Sequence, residues 1–133
     1  LGYIMGRHFR HDESASFIRL KSYILMADLE LMALNFKENR LLGLSVARSI
    51  KKAGSWLEAA HVFAHSGSDE DYFRLSAGMD YGFTDRLYAY IEYHYNGAGR
   101  ARPEDYWRLA GRTAYTEGAV YLLARHYLAP GLT

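Results

Sequence analysis

The chain has 133 residues, half of them apolar, with no cysteine and a formal net charge of +1. The length suits one domain, the charge offers a nucleic acid no electrostatic footprint, and the lack of cysteine excludes disulfides and thiolate metal sites. No apolar run approaches the roughly 18 residues of a transmembrane helix.

In chain order, Leu1 to Phe9 predicts a short strand containing Gly2 and Gly6, and Arg10 to Ser16 a polar loop. Phe17 to Phe36 is ambiguous: Ala27-Asp28-Leu29-Glu30-Leu31 alternates as a strand does, while Leu25, Leu29, Met32 and Phe36 make a helical stripe. Lys37 to Arg40 reads as a turn. Leu42, Leu44, Val46 and Ile50 then alternate with small residues, Lys51 to Ser55 turns, and Trp56 to His65 is a strand with Glu58 on its polar face. A loop follows over Ser66 to Glu70. Residues 97–118 are glycine-punctuated and predict a long loop, with a helical turn from Pro103 to Arg108 that has proline in first position. Ala119 to Ala129 is the last predicted strand.

The strongest signal is Asp71 to Asn96. From Phe73 to Phe83 every odd residue is apolar or aromatic and every even one small or polar, and the alternation resumes with Leu87, Ala89, Ile91, Tyr93 and Tyr95. A period of two marks strands with different surroundings on their two faces. Because opposed residues face the same way, a three-residue loop Thr84-Asp85-Arg86 is expected, of the type-I-plus-bulge kind. It pairs Phe83 with Leu87, Gly82 with Tyr88 and Gly78 with Glu92. Parity at the earlier turn requires an even loop such as Glu38-Asn39, with Asp28, Glu30, Gly43 and Ser45 on one face. Arg48 and His61 then fall on the apolar face, where a bulge or register change near His61 is one way to relieve the mismatch.

The stretches GMDYGFTDRLYAYIEYHYNGAG and LLGLSVARSI followed by WLEAAHVF resemble the strand–turn–strand units of Gram-negative outer-membrane β-barrel proteins, porin-like in texture. The resemblance covers roughly Ala27 to Ala129 and singles out no subfamily. It implies an all-β fold: an antiparallel meander of six or seven strands forming part of a transmembrane β-barrel, in one domain over 1–133. It also implies a periplasmic turn at Thr84 to Arg86, an extracellular loop over 97–118, and location in the bacterial outer membrane. The strand count falls short of the eight or more of bacterial barrels, and the terminal aromatic strand of that family is missing, so the expectation is a piece of a longer chain. A competing reading is a soluble α+β or mostly helical interaction domain. Val, Ile and Thr make up only 12 of the 133 residues, a composition that favours helices.

On the barrel reading, the residues facing the lumen are Asp28, Glu30, Glu58, Arg74, Asp80, Tyr88, Tyr90, Glu92 and His94. Acids outnumber bases, which favours cationic solutes, although a solvated polar face with internal ion pairs is what any barrel presents. Extrapolated register sets Glu58 and Glu92 on either side of Gly78, where two carboxylates could share a proton or metal; a coincidence of register is the plainer explanation. No pair of histidines has convincing zinc spacing, and no metal or cofactor is expected. Ser76 and His94 fall opposite each other, but no third group is specified for a barrel enzyme, and no catalytic residue is assigned. Arg100, Arg102, Tyr106, Trp107, Arg108 and Arg112 interleave cations and aromatics in the long loop, suited either to lipopolysaccharide phosphates or to plain solvation. The expected function is a passive or substrate-specific pore for small solutes, in contact with membrane lipid and not with nucleic acid.

Overall fold

The computed structural model describes residues 1–6, 14–36, 39–64, 70–116 and 118–133. These form one eight-stranded antiparallel sheet in simple meander order. The strands are β1 (Gly2–Ile4), β2 (Ala15–Ile24), β3 (Ala27–Phe36), β4 (Asn39–Ile50), β5 (Ala53–Phe63), β6 (Tyr72–Thr84), β7 (Leu87–Asn96) and β8 (His126–Leu132). The sheet is open, with β1 and β8 as its two edges. The fold is therefore all-β, and it holds eight strands where six or seven were expected.

The extra strand comes from the stretch read as a helical stripe. Ile24 pairs with Ala27, so Leu25 and Met26 form a two-residue turn, both at positive φ (54° and 59°). Two positive φ values define the I′ turn, whose twist matches that of the flanking strands. Its usual residues are Asn and Gly, so a Leu-Met pair carries no turn signal. The β4–β5 turn, Lys51-Lys52, has only its first residue at positive φ (57°), the II′ arrangement. Strand β5 begins there at Ala53, two residues before the predicted turn ends.

The even loop between β3 and β4 is present, because Phe36 pairs with Asn39. It is shifted by one from the expected Glu38-Asn39, and Lys37 and Glu38 lie outside the described residues. At the central hairpin Gly82 faces Tyr88 and Gly78 faces Glu92, as parity requires. The expected pairing of Phe83 with Leu87 does not form. Thr84 pairs with Leu87 instead, and the register shifts between Gly82 and Thr84. The odd residue needed for parity is thus absorbed as a bulge at Phe83, followed by a two-residue turn, Asp85-Arg86. The last strand also differs from its prediction. Val120 to Ala124 continue the long connection, and β8 starts at His126.

Apart from the bulge at Phe83, parity is kept from β2 to β8. One face carries Leu20, Leu31, Leu44, Leu57, Ala77 and Ile91, and its large apolar side chains are exposed. His61 and Arg48 lie on this face without any bulge in β5. The ring of His61 meets the edge of Phe63 at 4.4 Å, and its Nε2 is 3.8 Å from Asp71. The opposite face is polar through its middle and carries an apolar row, Leu34, Leu41, Val62 and Tyr72, towards one end. Aromatic side chains on the apolar face gather towards the two strand ends: Phe63, Phe73 and Tyr95 at one, Tyr81 and Phe83 at the other. Most residues in the band between them are aliphatic, with Tyr93 opposite Ala77 among them.

Candidate functional site

The polar face is built in rows, each running straight across the strands through paired residues. The central row is Lys21, Glu30, Ser45, Glu58, Ser76, His94 and Tyr127, one residue from each of β2 to β8. Seven polar residues in one row require all six connections between β2 and β8 to keep the same face. Side chains from β3, β4, β5, β6 and β7 enclose a single trough of about 250 Å³, so this face is concave. Glu30, Ser45, Glu58, Arg74, Ser76 and His94 supply its polar lining.

Charges within the trough are partly matched. Glu30 accepts hydrogen bonds from both Nε and Nη2 of Arg19, the latter at 2.7 Å, and Lys21 Nζ stands 3.3 Å away. Ser76 Oγ and His94 Nδ1 are hydrogen-bonded at 2.7 Å. Among the described residues Glu58 and Arg74 form neither hydrogen bond nor ion pair. Glu58 does not flank Gly78 as register extrapolation suggested. It sits opposite Ser76, and Gly78 lies between Trp56 and Glu92. The adjacent-carboxylate pair is therefore not formed, and no cluster of three metal-binding side chains occurs among the described residues.

Away from the central row the lining becomes acidic in one direction. The next row holds Asp28, Trp56, Gly78 and Glu92, and the one beyond it Gly54, Asp80, Tyr90 and Gly131. Here glycine makes room for its neighbours. A Cβ on Gly78 would collide with the Trp56 ring, one on Gly131 with the Tyr90 ring, and one on Gly54 with the Asp80 carboxylate. Asp80 accepts the Gly54 N–H at 3.1 Å and lies within hydrogen-bonding reach of the Tyr88 hydroxyl. Asp28, Glu30, Glu58, Arg74, Asp80, Tyr90, Glu92 and His94 thus share one face of the sheet, and Tyr88 lies at its end.

In the other direction the trough is capped. Beyond the row containing Arg74 and Asn96 lies an apolar row, Leu34, Leu41, Val62 and Tyr72. Ala98, Ala114 and Val120 of the β7–β8 connection pack onto Val62 and Tyr72, with Leu41 and Tyr115 at the margin. This connection contains a 3-10 helix, Pro103–Leu109, which has the anticipated proline at its start, and a short helix α1, Thr113–Thr116. Asn96 fastens it: the buried Nδ2 donates to Leu122 O at 2.7 Å and reaches Ala124 O at 3.3 Å. The Tyr115 hydroxyl donates to Leu122 O at 2.9 Å. Burial pushes the Tyr115 hydroxyl pKa up, and the Asn96 hydrogen bond and nearby Arg112 oppose this.

The loop candidates are dispersed by this folding. Arg100 is tied into the connection by backbone pairing with Leu123 and Arg125. Arg112 turns inward, donating to Ala98 O at 3.2 Å. Arg102 precedes the 3-10 helix and Tyr106 is half-buried. Only Arg108 and Trp107 come together, the guanidinium 5.4 Å from the centroid of an indole that is 72% exposed. Asn96, Tyr115, Arg19 and Lys21 were not singled out from sequence. Parity places Arg19 and Lys21 on the polar face once the turn at Leu25-Met26 is known; nothing local marks Asn96 or Tyr115 as anchors.

Comparison of the chain with protein-family models, with curated proteins and with solved structures gave no match.

Proposed function

We propose that this chain forms part of the wall of a membrane-spanning β-barrel of the outer-membrane type, with the trough as a polar path for small solutes. The observation that carries the reading is the reversed polarity of the sheet. Large apolar side chains stand exposed on the outer face, Leu20 at 62%, Met79 at 54% and Leu128 at 64%, while charged and hydroxyl side chains line the concave one. A water-soluble sheet buries its apolar face; a barrel wall in lipid does the reverse.

Strand dimensions support it. Strands β2 to β7 are 10 to 13 residues long, against about 9–11 needed for a tilted span. Phe73 and Tyr81 mark the two aromatic ends of β6, roughly 27 Å apart at ~3.4 Å per residue. A tilt of about 40° reduces this to ~20 Å, close to the apolar band of such barrels. A barrel must close to satisfy every backbone group in lipid, so this function requires further strands on the free edges of β1 and β8. The outer face would contact lipid, and the exposed Trp107–Arg108 pair would meet lipopolysaccharide phosphates at the rim.

Purified chain is expected to need detergent for extraction and to migrate differently on gels before and after boiling. Quiet extraction in buffer with no heat shift would sink the membrane reading. Stepwise conductance in a planar bilayer would support a pore; its absence under the same conditions would leave a wall without a path.

A hydrolytic barrel is the second reading, favoured by the Ser76–His94 hydrogen bond. Among the described residues no group holds His94 Nε2, which a base-activated serine requires. An acyl-ester assay with Ser76→Ala as control decides it: equal rates exclude serine chemistry.

A further inference from the structure

The trough holds one acid and one base that the protein leaves unmatched. Glu30 is neutralised by Arg19 and Lys21, whereas Glu58 and Arg74 line the same volume without an ion pair among the described residues. Glu58 pairs across to Ser76, and Arg74 pairs to Ala60, so the two are diagonal neighbours on adjacent strands. Such positions are about 7–8 Å apart at the backbone. An unmatched acid and base at that spacing, in a semi-enclosed space, are each attracted to a ligand of the opposite charge.

The surroundings give this pair a direction. On the Glu58 side the next rows bring Asp28, Glu92 and Asp80. On the Arg74 side lie Asn96 and the packed cap, and no acid lines the trough there among the described residues. Between them the hydrogen-bonded Ser76 and His94 offer polar atoms at mid-trough. We propose that this trough is a binding site for a small zwitterion, its ammonium on Glu58 and the acidic rows, its carboxylate on Arg74 beneath the cap. This deepens the pore reading by naming its solute class, and rests on the same trough.

Calorimetric titration of the full chain in detergent with glycine, 4-aminobutanoate and 6-aminohexanoate tests it, with butylammonium and butanoate as singly charged controls. One amino acid of the series is expected to bind on the order of tenfold more tightly than either control. Glu58→Gln and Arg74→Gln should each remove that margin, and the exchange Glu58→Arg with Arg74→Glu should restore part of it, a result that misfolding could not produce. Equal affinity for butylammonium or butanoate, no heat with any of the three amino acids, or unchanged binding by both neutral variants would overturn the proposal. Bilayer conductance separates the two readings. A conducting chain that binds no amino acid keeps the pore and loses this site; a non-conducting chain that binds one does the opposite.

Discussion

Asn96 illustrates how much one side chain can hold. It is fully buried at the end of β7, its amide nitrogen serves the Leu122 and Ala124 carbonyls, and its Oδ1 has no hydrogen-bond partner. Asn96→Ala would leave those carbonyls without their side-chain donor, at about 1–3 kcal/mol for a buried group left unpaired. The loss should appear as faster hydrogen exchange across 97–125 with strands β3 to β6 unaffected. Tyr115 adds a pH dependence. Its pKa is raised in the folded chain, so the neutral hydroxyl is the form the cap stabilises. That contribution is complete below the unfolded value of about 10 and is lost as pH rises through the higher folded value. Hydrogen exchange in the cap should therefore accelerate on strong alkalinisation, and Tyr115→Phe should remove that alkaline step.

At the scale of elements, the β2–β3 turn places two non-glycine residues at positive φ. Left-handed conformation costs roughly 1–2 kcal/mol for an ordinary residue. Leu25→Asn with Met26→Gly matches the I′ preference and should raise the melting temperature without changing strand content by circular dichroism. Gly78 is the opposite case. Its missing side chain is the space in which Trp56 lies, so Gly78→Val must displace the indole. A cost of about 1–3 kcal/mol is expected for such overpacking, with a change in tryptophan emission. An unchanged spectrum would mean that the ring does not lie over Gly78.

For the whole molecule the governing feature is an inside-out sheet with open edges. Its buried apolar cluster is small and sits at the cap, not between layers, so apolar burial in water contributes little to holding the sheet together. On the proposed barrel reading, detergent or lipid supplies the missing environment. The chain should accordingly lose cooperative unfolding when diluted out of detergent and regain it in micelles. Cooperative melting in plain buffer would show that the outer face needs no such environment.

The alternation of Phe73 to Phe83 and Leu87 to Tyr95 already carried the two-faced hairpin, and with parity it carried the Gly82–Tyr88 and Gly78–Glu92 pairings, because side-chain direction in a strand has period two and needs no tertiary information. The polar set from Asp28 to His94 followed from the same rule. The rule counts residues and does not say where an extra one goes, which is why the bulge fell at Phe83 rather than in a three-residue loop. It also failed at Leu25-Met26, where sheet pairing on both sides imposes a turn against local preference. The matched Glu30, the unmatched Glu58 and Arg74, and the folding of 97–125 onto Val62 and Tyr72 depend on which strands become neighbours. Contacts between residues distant in the chain decide them, and only the tertiary structure contains those.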